Sequence, residues 1–92
     1  MNWQIGYKKT FLKDLKGLPK DKREKIEKFV FEEIFNCKNP LNLKGIEKLI
    51  GYDKYYKIRF GDYRVGLEID KNKKKIIFCR VLHRKEIYRY YP

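Results

Sequence analysis

Three basic side chains, Lys57, Arg59 and Arg64, crowd the stretch Tyr56-Lys57-Ile58-Arg59-Phe60-Gly61-Asp62-Tyr63-Arg64-Val65. A second concentration of reactive types follows in Arg80-Val81-Leu82-His83-Arg84-Lys85-Glu86-Ile87-Tyr88-Arg89-Tyr90, which combines basic groups, the single histidine and phenols. Together these types suit one reaction. RNA is cleaved without metal when its own 2′-hydroxyl attacks the adjacent phosphate. The protein must offset the extra negative charge on the phosphorane, for which Arg and Lys are suited. It must also take a proton from the 2′-hydroxyl and return one to the leaving 5′-oxygen. Arginine is a poor base, so a Lys, His or Tyr is the expected proton acceptor. Clustered cations favour the neutral form of a lysine, and Lys57 beside Arg59 and Arg64 fits that role. Tyrosines such as Tyr88 also offer a surface on which bases can stack.

Other chemistries find little support. The chain has no Ser, so no serine nucleophile, and it has no Gly-rich phosphate loop. One histidine excludes the usual multi-histidine metal centres. Asp62 and Asp70 read as turn residues rather than as a catalytic carboxylate pair. Cys37 and Cys79 match no metal spacing and fit buried thiols in a reducing cytosol. No cofactor and no metal are expected.

The cations are positioned by a predicted hairpin. Gly61-Asp62 suits a type II′ turn, with Gly at the first central position. That turn sets Phe60 opposite Tyr63, Arg59 opposite Arg64 and Lys57 opposite Gly66. Alternation then places Lys57, Arg59 and Arg64 on one face. Tyr56, Ile58, Phe60, Tyr63, Val65, Leu67 and Ile69 fall on the other, a candidate core. Like charges opposed across a sheet destabilise it, so the cluster makes more sense if an anion binds there. A solvated, merely charged sheet face is the alternative.

Around the hairpin, Trp3 to Tyr7 alternates as a short strand. Phe11, Leu12, Leu15 and Leu18 follow at helical spacing with Thr10 as N-cap, and Gly17 and Pro19 punctuate the chain. A second helix begins at Lys20, with Ile26, Phe29, Phe31, Val30, Ile34 and Phe35 as its apolar stripe, and ends between Asn36 and Pro40. Leu43-Lys44-Gly45 reads as a turn and Ile46 to Ile50 as a short strand. Tyr55–Phe60, Tyr63–Ile69 and a central Ile76–Leu82 complete an antiparallel sheet of about four strands. A short helical turn closes the chain. The expected fold is α+β, a single domain over residues 1–92, with two N-terminal helices on one sheet face and the cationic face left open.

The formal charge is +12 and is uneven. Residues 1–18 carry +3, residues 19–38 carry +1 and residues 39–92, which hold the hairpin, carry +8. A balance this basic points to nucleic acid, an acidic protein partner, or both; a lysine-rich surface kept for solubility is the plain alternative. Lys71, Lys73, Lys74 and Lys75 form a charge run that is either a solvated turn or a grip on RNA phosphates. No signal peptide and no bilayer-spanning run is visible, so a soluble cytoplasmic protein is expected.

Tyr56-Lys57-Ile58-Arg59, Gly61-Asp62-Tyr63-Arg64-Val65, the late apolar strand and His83-Arg84-Lys85-Glu86-Ile87-Tyr88 resemble the RelE/ParE superfamily of bacterial and archaeal toxins. The early Phe11-Leu12-Lys13-Asp14-Leu15 helix and the Leu18-Pro19 break extend the resemblance over nearly the whole chain. It implies the RelE-like microbial RNase fold and a ribosome-dependent endoribonuclease that cuts mRNA in the ribosomal A site. By the same resemblance, a cognate antitoxin, expected to be acidic, neutralises the toxin. The toxin is then a monomer alone or part of a hetero-oligomer with that antitoxin. Lys57 takes the place of the general base, and Arg59 that of a second basic residue. Arg64 would stabilise the transition-state phosphate, and Tyr88 would orient or stack on the nucleotide. His83 and Arg84 both stand near the position of the family's late basic residue, and the choice between them stays open. Lys54, Lys73, Lys74, Lys75 and Lys85 are the expected RNA contacts. Two other readings remain: a ParE-like inhibitor of DNA gyrase, and a family member that only binds RNA or its antitoxin.

Overall fold

Gly61 adopts φ +57°, and the two-residue turn that it opens pins the strands on either side. In the structure, a computed structural model that describes residues 3–92, β3 (Tyr55–Phe60) and β4 (Tyr63–Asp70) pair antiparallel. Phe60 faces Tyr63, Arg59 faces Arg64 and Lys57 faces Gly66, the register that the turn predicts. β5 (Lys75–His83) returns beside β4, and β2 (Ile46–Lys48) lines the outer edge of β3.

The remaining strand, β1 (Gln4–Tyr7), runs parallel to β5. The sheet is therefore mixed and five-stranded, in the order β1-β5-β4-β3-β2, rather than an antiparallel sheet of about four strands. β1 reaches the meander only through the helices. No tight turn holds it antiparallel, and it fills the edge of β5 that the meander leaves open.

α1 (Lys9–Lys16) and α2 (Lys20–Phe31) cover one sheet face. Phe11, Ile26, Val30 and Ile34 meet Ile58, Val65, Leu67, Ile69, Ile76 and Phe78 there in one buried core. Asp14 bolts α1 to β5: it accepts from Arg80 Nε at 2.7 Å, Arg80 Nη2 at 3.2 Å and the Val81 N–H at 3.2 Å. Two expectations fail locally. Thr10 is not the cap of α1, which starts after Lys8; its hydroxyl instead donates to the Cys79 carbonyl at 3.1 Å. Phe31 and Phe35 are exposed: Phe31, the last residue of α2, stands about 100° around the helix from buried Val30, and Phe35 lies in the 3-10 turn over Glu33–Asn36. The 3-10 turn keeps Ile34 buried and turns Phe35 outward.

The opposite sheet face is only partly open. A one-turn helix, α3 (Ile87–Tyr90), lies on it, and Ile87 and Tyr91 form a second small core with Cys79. Among the described residues no helix is long and apolar enough to cross a membrane.

Candidate functional site

Arg59 and Arg64 stand directly opposite each other, and among the described residues neither makes an ion pair with a carboxylate. Arg64 is held by the turn itself: its Nη1 donates to the Gly61 carbonyl at 2.8 Å and to the Tyr63 carbonyl at 3.1 Å. The Arg59 side chain is exposed; its backbone N–H bonds the Gly45 carbonyl at 3.3 Å. Two guanidinium groups without a paired carboxylate offer the fork geometry that suits an anion of two or more oxygens.

Lys57 shares that face. Its side chain is only 14 % exposed, and its ammonium donates to the Tyr88 hydroxyl. The nitrogen also lies 4.2 Å from the centroid of the Tyr88 ring and 4.0 Å from Glu47 Oε2. Glu47 is its direct cross-strand partner on β2. A cleft of about 480 Å³ opens beside Lys57, lined by Glu47, Leu49, Tyr52, Tyr88 and Tyr91 among others.

His83 and Arg84 part company. His83 pairs with Tyr63 and so shares the helix-bearing face, away from the cations. Its ring stands edge-on to Tyr63 at 5.6 Å, and its Nδ1 accepts the Lys85 N–H at 3.2 Å. Arg84 instead joins the turn that holds Arg64. Its N–H donates to the Asp62 carbonyl at 2.7 Å, and its Nε lies 3.8 Å from Asp62 Oδ1.

The lysines expected to touch RNA divide between the two ends of the sheet. Lys85 is exposed near the Gly61-Asp62 turn, next to Arg84. Lys54, Lys73, Lys74 and Lys75 cluster at the far end of β4, about 25 Å away at the usual rise of a strand. There Lys54 pairs with Asp70 at 3.3 Å. The Lys73 N–H, at 3.0 Å from Asp70 Oδ1, and then Lys54 hold the Asp70 carboxyl below its ordinary pKa.

A family model described as the ParE toxin of a type II toxin–antitoxin system, parDE, matches residues 5–88. The chain belongs to the RelE/ParE toxin family. Toxin RelE3 of Methanocaldococcus jannaschii is 49 % identical over 90 residues, which is 97 % of this chain and 99 % of that one. The toxin of a RelB–RelE antitoxin–toxin complex from Methanococcus jannaschii is 50 % identical, with a TM-score of 0.76 over 95 % of this chain and 99 % of that one. A chain of an archaeal RelE–RelB complex from Pyrococcus horikoshii is 26 % identical, with a TM-score of 0.71 over 91 % of this chain and 97 % of that one.

Within this toxin fold, three residues of the site escaped the sequence reading. Glu47 belongs to a segment with little periodicity, and only the β2–β3 register brings it to Lys57. Gly66 was visible as the residue facing Lys57, but its use was not. Tyr91, which fills the space above Gly66, had no signal beyond being an aromatic near the end of the chain.

Proposed function

We propose that this toxin cuts mRNA on the ribosome, using the 2′-hydroxyl of the substrate as nucleophile. The observation that carries the reading is the meeting of Lys57 with Tyr88 beside the opposed, carboxylate-free Arg59 and Arg64. Arg59 and Arg64 hold the scissile phosphate. Lys57, as the general base, takes the proton of the 2′-hydroxyl as the 2′-oxygen bonds to phosphorus. The bond to the 5′-oxygen then breaks, and that oxygen takes a proton from water as it leaves. Arg64 and Arg84, both bonded to the Gly61-Asp62 turn, face the charge that builds on the phosphorane. The products are a 2′,3′-cyclic phosphate and a 5′-hydroxyl. Tyr88 orients Lys57 and offers its exposed ring to a base. His83, on the other face, is kept out of the reaction in this scheme. Lys54, Lys73, Lys74, Lys75 and Lys85 contact phosphates of mRNA and ribosomal RNA, which places the toxin in the cytoplasm.

The proposed partner is a cognate antitoxin of RelB type, since relatives from two archaea are found in RelB–RelE complexes. A surface of net charge +12 suits an acidic partner. The toxin alone is proposed to be a monomer that enters a hetero-oligomer with it.

Primer extension on an mRNA translated with purified toxin tests the reading. New 5′ ends with the wild type, lost in Arg64→Ala, are expected. No new ends, or equal cleavage by Arg64→Ala, would sink it. A second reading, inhibition of DNA gyrase, is favoured by the ParE description of the matching family model. A supercoiling assay without inhibition at micromolar toxin removes that one.

A further inference from the structure

The four-residue helix α3 cannot stand alone, since isolated helices shorter than about 12 residues are marginal in water. It is held from below. Ile87 (1 % exposed) and Tyr91 (5 %) are four residues apart, the spacing that puts two side chains on one side of a helical turn. The Tyr91 N–H donates to the Ile87 carbonyl at 2.9 Å. Tyr88, between them, is 70 % exposed and reaches Lys57.

The Tyr91 ring takes a seat that only glycine leaves free. A Cβ on Gly66 would lie 2.8 Å from three carbons of that ring. Gly66 is not among the residues of positive φ, so backbone geometry does not call for glycine there. The close approach of the ring does. Gly66 is also the residue that faces Lys57. The Tyr91 hydroxyl lies 2.6 Å from the Leu67 carbonyl and 3.0 Å from the Tyr56 carbonyl. Those two residues are the next cross-strand pair along the ladder. One phenol thus ties β3 to β4 a single step from Lys57. Tyr55 packs edge-on against the ring at 5.9 Å. Burial pushes the phenol above its ordinary pKa, which keeps it a donor.

We propose that Tyr91 is a positioning residue for the Lys57–Tyr88 pair. Seated on Gly66 and bonded to the Leu67 and Tyr56 carbonyls, it sets where α3 holds the Tyr88 hydroxyl against the Lys57 ammonium. The kinetic consequence rests on the nuclease reading; the placement of Tyr88 does not.

The test uses full-length toxin carrying tyrosine labelled with carbon-13 at Cζ, with the Tyr88 signal assigned from Tyr88→Phe. In the wild type, Lys57→Met is expected to shift that signal. In Tyr91→Phe and in Gly66→Ala the signal is expected to move, and Lys57→Met no longer to affect it. A loss of packing alone would lower the melting temperature without uncoupling the two side chains. On translated mRNA, kcat for Tyr91→Phe is expected to fall about 5- to 10-fold, the scale of one hydrogen bond. KM should change little, because Arg59 and Arg64 still hold the phosphate. A Tyr88 signal unchanged in Tyr91→Phe and still sensitive to Lys57→Met overturns the proposal. If Gly66→Ala does not fold, Tyr91→Phe, which keeps the ring, decides alone. If the wild type does not cut RNA but the Tyr88 signal follows Tyr91, the nuclease reading fails and the positioning role stands.

Discussion

The Lys57 ammonium donates to the Tyr88 hydroxyl across 31 residues of sequence, with the Glu47 carboxylate 4.0 Å from the same nitrogen. A lysine held between a phenol and a carboxylate has its direction set before substrate arrives. As the proposed base, Lys57 should be the most sensitive position of the site. Lys57→Met is expected to lower single-turnover cleavage of ribosome-bound mRNA by about 10²- to 10⁴-fold. Lys57→Arg should not restore it, since a guanidinium stays protonated. Recovery by Lys57→Arg would assign the residue to charge stabilisation instead.

Arg59 and Arg64 repel each other across the ladder, and the fold bears that cost. Arg59→Gln should therefore stabilise the toxin by about 0.5 kcal/mol while weakening cleavage. Paired urea melts and cleavage rates on the same preparation check both signs. A variant that loses stability along with activity would mean that Arg59 is a packing residue. Sites that trade stability for function behave in the expected way.

Asp14 makes three hydrogen bonds to β5, two of them to the Arg80 guanidinium, whose pKa rises chiefly through that bond. Arg80 is thus a structural cation, apart from the proposed phosphate site. Asp14→Ala should cost about 2–3 kcal/mol in urea unfolding and leave cleavage unchanged below its melting temperature. A cleavage defect in the folded variant would return Arg80 to the site.

Asp70 sets an acid-side dependence. Its carboxyl is depressed first by the Lys73 N–H and then by Lys54. A group with a lowered folded pKa contributes stability above its unfolded value, about 3.9, and loses it as pH falls through the folded value. Chemical melts from pH 6 down to pH 2 should show a flatter decline in Asp70→Asn than in the wild type. Equal slopes would show that the contact does not survive in solution.

The hairpin was legible because a two-residue turn with Gly61 first leaves one register, and register decides which side chains share a face. Helix α2 was legible from its period up to Phe31. What lay beyond local pattern was lost. The partner of β1 is chosen by an open sheet edge that no residue of β1 encodes. The face of His83 depends on counting through the turn after Asp70 and through a register shift between Gly66 and Leu67, where Cys79 has no partner. Sequence proximity therefore joined His83 to the cations, and strand geometry separated them. Tyr91 became readable only when the glycine beneath its ring was seen.

Charge gives the last expectation. The half of the chain after residue 38 carries +8 of the +12, and the proposed antitoxin must cover it. Opposite charge speeds encounter more than it deepens affinity, and the Debye length shortens from about 10 Å at 0.1 M to about 3 Å at 1 M salt. The association rate with the cognate antitoxin should therefore fall steeply across that range, with the dissociation rate much less affected. Neutralising Lys73, Lys74 and Lys75 together should reduce the salt slope, because the three sit on one exposed end of the sheet. Stopped-flow mixing at several salt concentrations reads both. An association rate independent of salt would mean that apolar contacts, for which Phe31 and Phe35 are exposed, control the encounter.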